Sequence, residues 1–348
     1  MRIAILGYGV VGSGVAEVLK INAAQVAKKA GESGESIDVK YILDTRDFPG
    51  EDQKSKFIKN FEEIERDPEI KIVAECIGGE TTAYDFAKRA ILAGKHVVTP
   101  NKALIAAHGA ELFALAKERG VHLLFEASVG GGIPLIRPFC GALLTDEVQE
   151  IAGILNGTSN YILTQMNDNG KSYDNALKSA QELGYAEADP TADVGGFDAC
   201  RKLSILLSLA TGKTVDYKDI PTEGIEKITA DDFAFAAENG YTLKHLAIAK
   251  ISAGGVQAVV APFLVKIGHP MSTVSDVYNA LWARAKTTGS VMFYGSGAGK
   301  LPTASAVVSN LVDIAQNACA AHIWTAERVK ILPAEGFAMK KTFRIYEG

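Results

Sequence analysis

The chain has 348 residues, 47% hydrophobic and 22% charged, which excludes wholesale disorder and, at about 150 residues per domain, predicts two domains with sizeable cores. Its 36 Lys+Arg against 41 Asp+Glu give a net charge of −5 with both signs scattered, so the basic surface that nucleic-acid binding needs is missing. No apolar run reaches the roughly 18 residues of a membrane span, so no membrane partner is expected.

The opening residues Met-Arg-Ile-Ala-Ile-Leu read as a strand, Arg2 to Leu6, and not as a cleavable leader. Directly after it comes Gly7-Tyr8-Gly9-Val10-Val11-Gly12, a G-x-G-x-x-G that opens a helix. In a Rossmann unit the first glycine makes the tight turn, the second admits a pyrophosphate, and the third lets helix pack on strand. The pyrophosphate then sits on the positive end of the helix. A merely structural glycine turn is the alternative, and the strand-helix alternation that continues downstream argues against it.

Lys28 to Ser36, charged and polar, is expected to be a surface loop. The next strand, Asp38 to Asp44, ends on an acid placed to bond the ribose hydroxyls of NAD, while Arg46 two residues on is placed to hold the 2′-phosphate of NADP. The two signals conflict, so the cofactor reads as NADP or NAD, leaning to NADP, with Arg46 as a plain solvated charge the competing possibility. Further strands are expected at Ile72 to Cys76, His96 to Thr99 and His122 to Phe125, with helices at Ala83 to Ala93 and Lys102 to Arg119. Short apolar strands alternating with helices mean a parallel sheet covered on both faces, an α/β domain.

The glycines Gly130, Gly131 and Gly132 before Pro134 mark the best boundary. The expected organisation is a dinucleotide-binding Rossmann domain over residues 1–132, joined by 300–320. A second α+β domain over 133–299 would carry catalysis and dimerisation, with longer helices separated by polar strand-like segments, and 321–348 would form a tail. The cysteines Cys76, Cys140, Cys200 and Cys319 lie far apart without C-x-x-C spacing. They read as reduced core thiols in a cytoplasmic protein, neither zinc ligands nor a disulfide framework.

Within the second domain, Glu187, Asp189 and Asp193 lie on a loop that runs into a helix placing Asp198 and Lys202 four residues apart on one face. Most such pairs are exposed and worth about 0.3–0.5 kcal/mol. Here the helix continues as Leu203-Ser204-Ile205-Leu206-Leu207-Ser208-Leu209-Ala210, apolar on nearly all sides. An acid and a lysine at the mouth of a core helix, beside an acidic loop, fit a site for a small zwitterion as well as they fit an ordinary ion pair.

The stretch from Ala180 to Lys202 resembles the signature of homoserine dehydrogenase, with alanine, glycine, Asp189-Pro190, Asp193, Gly196, Asp198 and Lys202 at its fixed positions. The chain is also similar to that family at Thr99-Pro100-Asn101-Lys102, from Glu126 to Pro134, from Asn156 to Leu163 and at Gly295 to Gly299. The resemblance implies interconversion of aspartate β-semialdehyde and homoserine with NAD(P), the branch step toward threonine, methionine and isoleucine. It also implies residue roles. Glu187 would bind the substrate ammonium, with Gly184 and Asp193 shaping that pocket; Lys202, oriented by Asp198, would bond the oxygen that becomes the hydroxyl. Lys102 would reach nicotinamide and substrate, and the Lys102 and Lys202 pair would supply the proton, neither assigned alone.

Along with the glycine loop from Gly7 to Gly12 and Arg46, the resemblance assigns Gly78, Thr99 and Gly299 to the cofactor. Glu126, through its carboxylate, and Val129, Gly131 and Ile133, through main-chain carbonyls, would surround a sodium ion, a hard cation that prefers oxygen; a plain glycine hinge is the alternative. A homodimer is implied, and the regulatory ACT domain that many relatives carry is not expected here. Two other functions compete. Aspartate-semialdehyde dehydrogenase needs a nucleophilic cysteine beside a histidine, and no cysteine here has that context. A non-catalytic NAD(P)-binding regulator would keep the glycine loop without any reason to keep Asp198 and Lys202.

Overall fold

The computed structural model describes residues 1–30, 36–50, 54–319, 324–334, 337, 339–340 and 342–348. Residues 31–35 of the expected Lys28 to Ser36 loop therefore lie outside the described residues. The chain divides into two compact units, residues 1–141 with 298–326, and residues 142–297 with 327–348.

The first unit holds a six-stranded sheet: β1 (Arg2–Leu6), β2 (Asp38–Leu43), β3 (Phe57–Ile58), β4 (Ile70–Glu75), β5 (His96–Val98) and β6 (Leu123–Leu124). Every pairing is parallel and the order is β3-β2-β1-β4-β5-β6, the doubly wound arrangement. Ile3, Ile5 and Leu6 on β1 and Ile72, Val73 and Ala74 on β4 are wholly buried, as central strands covered on both faces must be. The sequence reading expected five of these strands. It missed β3, because a run of two residues is too short to show a pattern.

The helix Lys300–Ala315 belongs to this unit despite its distance in sequence. Ala304, Val307 and Leu311 enter the same core as Ile3 and Ile5 of β1 and Val15, Val18 and Leu19 of the helix Val10–Ile21. The approach of the two helices is close at Gly14, where a Cβ would stand 3.0 Å from the Ala304 Cβ and 3.0 Å from the Lys300 carbonyl oxygen.

The second unit is built on an eight-stranded mixed sheet. Its strands lie in the order Gly289–Ser296, Tyr278–Ala285, Val148–Ile154, Tyr241–Ser252, Gly255–Lys266, Phe343–Tyr346 and Met339–Lys340, with Ile331–Leu332 beside Gly255–Lys266. The residues from 321 on, read as a tail, thus supply strands to this sheet. The two twelve-residue strands Tyr241–Ser252 and Gly255–Lys266 form an antiparallel hairpin with Gly255 opposite Ser252. Leu243 and Leu264 point to one face, among Tyr161, Ile162 and Phe233, while Leu246, Ile248, Val259, Ala261, Phe263 and Val265 point to the other. Both faces being apolar, these strands show continuous hydrophobic runs; the polar strand-like segments expected from the sequence are therefore not what builds the centre of this sheet.

Leu311, fully buried between sheet and helix, measures how much the returning helix contributes. Leu311→Ala is expected to destabilise the protein by about 2–5 kcal/mol, the range for deleting a buried leucine, read as a lower urea midpoint at unchanged slope.

Candidate active site

In the first unit the glycine loop has the geometry of an anion cradle. Gly7 adopts φ +84°, and a Cβ there would lie 2.9 Å from the Cys76 carbonyl oxygen; a Cβ on Gly12 would lie 1.9 Å from the Gly7 carbonyl oxygen. Neither position tolerates a side chain. No side chain caps the helix Val10–Ile21, so its first-turn N–H groups, beginning at the exposed Val10 and half-buried Val11, face outward for a ligand. These residues fit the pyrophosphate of a dinucleotide. Tyr8 is buried edge-on against Phe48 and Phe57, which fixes the loop laterally.

At the end of β2 the Asp44 carboxylate accepts the Tyr8 N–H (2.7 Å), the Arg46 N–H (2.9 Å), Arg46 Nε (3.0 Å) and Arg46 Nη2 (2.8 Å). The guanidinium, first, and the two backbone N–H groups hold this carboxyl well below its ordinary range, against the opposing pull of burial. Arg46 itself stays 60% exposed at its side chain and lies over the Phe48 ring, 5.2 Å from its centroid. Asp44 thus serves to pin the loop and aim Arg46, with the arginine presenting its remaining N–H groups to solvent.

Further along the carboxyl ends of the same strands, Gly78 lies past β4 with φ +80°, and the buried Thr99 follows β5. Lys102 is the first residue of the helix Lys102–Arg119, half-buried, directly after the N-cap Asn101. Gly299 is the residue before the helix Lys300–Ala315, at φ +120°. The loop from Glu126 to Ile133 is buried but for the exposed Gly132. There the Glu126 carboxylate accepts the N–H groups of Ile136 and Arg137, both at 3.0 Å. Burial is the largest influence on this carboxyl and pushes it up, against those bonds and the Arg137 charge. A carboxylate with main-chain carbonyls is the kind of oxygen set that a hard cation prefers, and here the Arg137 Nε lies 3.8 Å from Glu126 Oε2. Among the described residues no group of three or more His, Cys, Asp or Glu could hold a metal.

In the second unit Asp193 and Asp198, of the sequence-predicted residues, gather with Lys202. Its Nζ lies 2.7 Å from Asp198 Oδ2 and donates to the Leu155 carbonyl at 2.7 Å. Only 11% of the Lys202 side chain and 8% of the Asp198 side chain are exposed. That separates this pair from an ordinary surface ion pair: removing either partner strands a nearly buried charge. Asp198 stands in the first turn of the helix Phe197–Thr211, where the helix dipole favours an anion. Asn156, not picked out singly from the sequence, donates through Nδ2 to both Asp193 Oδ1 (2.7 Å) and Asp198 Oδ2 (2.9 Å). Its Oδ1 accepts the Ser159 N–H at 2.8 Å and so caps the helix Gly157–Asn169. Gly184 and Glu187 lie on the exposed loop before this cluster, and the Thr158 hydroxyl ties that loop down through the Tyr185 carbonyl at 2.7 Å. The Glu187 carboxylate is exposed and stays outside the hydrogen-bonded cluster.

Comparison with known proteins decides the family. Residues 7–126 match the model for the homoserine dehydrogenase NAD binding domain, and residues 134–312 the model for homoserine dehydrogenase itself. A homoserine dehydrogenase of Pseudomonas aeruginosa is 43% identical over 315 residues, covering 90% of this chain and 72% of that protein. The chain belongs to the homoserine dehydrogenase family. A crystal structure of a homoserine dehydrogenase from Thiobacillus denitrificans superposes with a TM-score of 0.87 at 38% identity, over 96% of this chain and 79% of that one. A hyperthermophilic archaeal homoserine dehydrogenase in complex with NADPH gives 0.74 at 27% identity, over 90% of this chain and 96% of its own.

As a homoserine dehydrogenase the protein is an NAD(P)-dependent oxidoreductase acting on a CH–OH group. The regulator alternative drops out, and so does aspartate-semialdehyde dehydrogenase. All four cysteines are free, and burial pushes the Cys140 thiol up to about 12 and the Cys319 thiol up to about 11, far from nucleophilic. Asn156, which the sequence reading did not single out, carried one available signal: a polar residue standing just past the end of an apolar strand.

A pH effect on folding follows from His245, whose Nε2 faces the Glu223 carbonyl at 2.9 Å. Burial, the dominant cause, lowers this imidazole to about 4. It stays neutral in the folded protein while the unfolded chain protonates near 6.5, so its contribution is intact above that value and is lost as pH falls from there toward 4. The loss is on the order of 3 kcal/mol at pH 4. His245→Gln is expected to flatten the pH dependence of the denaturation midpoint between pH 7 and 4.

Proposed function

We propose that this enzyme interconverts L-aspartate 4-semialdehyde and L-homoserine with NADP preferred over NAD, in the branch leading to threonine, methionine and isoleucine. The observation that carries the catalytic part is the Lys202 ammonium, buried and fixed by Asp198 and the Leu155 carbonyl. A charge so placed is pre-oriented toward an oxygen that gains negative character. The nicotinamide, when bound, supplies or takes up the hydride. The protein's part is to bind the amino acid and to move one proton onto the aldehyde oxygen, or off the hydroxyl in reverse.

In this reading Glu187 takes the substrate ammonium, and its exposure leaves it accessible. Gly184 and Asp193 shape the pocket, with Asn156 holding Asp193 and Asp198 together. Asp198 orients Lys202, and Lys102 joins it in handling the proton. The loop from Gly7 to Gly12 holds the pyrophosphate, while Gly78, Thr99, Lys102 and Gly299 approach the nicotinamide end. Val129, Gly131 and Ile133, with the charge of Glu126, hold a sodium ion. The enzyme works as a cytoplasmic homodimer. No helix among the described residues is long and apolar enough to cross a membrane.

The NADP preference is supported by Asp44, whose oxygens are taken up by Tyr8 and Arg46 and so are poorly placed to accept ribose hydroxyls. A 2′-phosphate would instead meet the arginine's remaining donors. Arg46→Ala is expected to raise the KM for NADP at least about tenfold, the loss of one charge-assisted hydrogen-bond set, while moving that for NAD little. The reaction itself is tested by absorbance at 340 nm with L-homoserine and each cofactor. Lys202→Ala is expected to lower kcat by about 100-fold or more while the nucleotide still binds; an unchanged rate would remove Lys202 from the chemistry.

A further inference from the structure

Glu75, the last residue of β4, is wholly buried (0% exposed) and has no part in any role described so far. Its Oε1 accepts the N–H groups of Ile77 (2.8 Å) and Gly78 (3.2 Å), and its Oε2 accepts the Thr99 hydroxyl (2.7 Å). Thr99 Oγ1 in turn accepts the Asn101 N–H at 2.9 Å. Asn101 Nδ2 donates back to the Gly79 carbonyl at 2.6 Å, while its Oδ1 caps the next helix through the N–H groups of Ala103 and Leu104. These bonds make a closed ring from the end of β4, through the turn at Ile77 to Gly79, across to Asn101, and back by Thr99 to Glu75.

A carboxylate taken wholly out of water is costly and is compensated only by donors aimed at it. Here the donors come from two loops; the acid bonds to both, and the Asn101 amide makes a second tie between them. An apolar residue at position 75 would leave Ile77, Gly78 and the Thr99 hydroxyl each short of an acceptor, and would leave the Asn101–Gly79 bond in place of a closed ring. The residue after Asn101 is Lys102, whose backbone leaves the ring at the first position of its helix.

We infer that Glu75 is a positioning residue, which locks the loops after β4 and β5 into one rigid frame and so fixes where Lys102 is held during the reaction. The inference rests on the role given to Lys102 above. A misplacement of about 1 Å in a reacting group can cost on the order of 100-fold in rate, which is the scale of effect that such a frame prevents.

The test compares Glu75→Gln, Lys102→Met and the double variant in the full-length enzyme. Glu75→Gln keeps the size and one acceptor oxygen but turns an NH2 toward donors. It is expected to retain NAD(P)H binding by fluorescence and to lower kcat by about 10- to 100-fold. The primary isotope effect with 4-deuterated NAD(P)H should rise as the chemical step becomes slower. If Glu75 acts through Lys102, the double variant will be no slower than Lys102→Met alone. Thr99→Val, which removes the bond to Glu75 together with the acceptor of the Asn101 N–H, should give a change of the same kind, and it serves should Glu75→Gln not fold. A wild-type kcat and isotope effect in a folded Glu75→Gln would overturn the inference, as would losses that multiply in the double variant. A wild-type rate in Lys102→Met would instead overturn the reading of Lys102 itself.

Discussion

An ammonium ion largely removed from water governs the second unit. Lys202 gives up most of its hydration for two short contacts, one to a carboxylate and one to a main-chain carbonyl, and everything around it can be understood as supporting those two. Asp198 gains from the start of its helix and from the Asn156 amide. Asn156 is itself fixed by capping a second helix, whose start lies beside the Leu155 carbonyl in sequence. The arrangement is cooperative, since each member is oriented by a group that another member holds. Rigidity of this kind holds the ammonium in a single orientation.

The nucleotide unit follows a different logic, based on steric exclusion. Gly7 and Gly12 leave no room for a side chain against the neighbouring backbone. The loop is therefore bare, and bare backbone is what a pyrophosphate needs. Charge enters at the periphery, where Asp44 engages Arg46 and Tyr8 together and converts the end of one strand into a mount for an arginine.

Much of this was legible in the chain. The glycine spacing after Arg2–Leu6, the apolar strands and the Asp198–Lys202 spacing each have a local signature, and the parallel character of the sheet followed from the strand-helix alternation, while its strand order is visible only in the fold. What escaped reading was set by tertiary contact. The strand Phe57–Ile58 is too short to announce itself; the long hairpin from Tyr241 to Lys266 is buried on both faces and shows no alternation. Asn156 and Glu75 have partners tens of residues away, as with Asn156 and Asp198 or Glu75 and Thr99. A polar residue at a strand end hints at such a role, and its partner can be named only once the chain has folded.

The helix Lys300–Ala315 has a consequence for synthesis. Ala304, Val307 and Leu311 complete a core begun by Ile3 and Val15, and they emerge from the ribosome only after the whole of residues 142–297. The nascent first unit must therefore wait with an apolar groove uncovered, against the helix that Gly14 keeps narrow, while the second unit is made. Translation at about 5–20 residues per second makes that wait on the order of ten seconds or more. During it the apolar side chains that Ala304, Val307 and Leu311 later cover lack that cover.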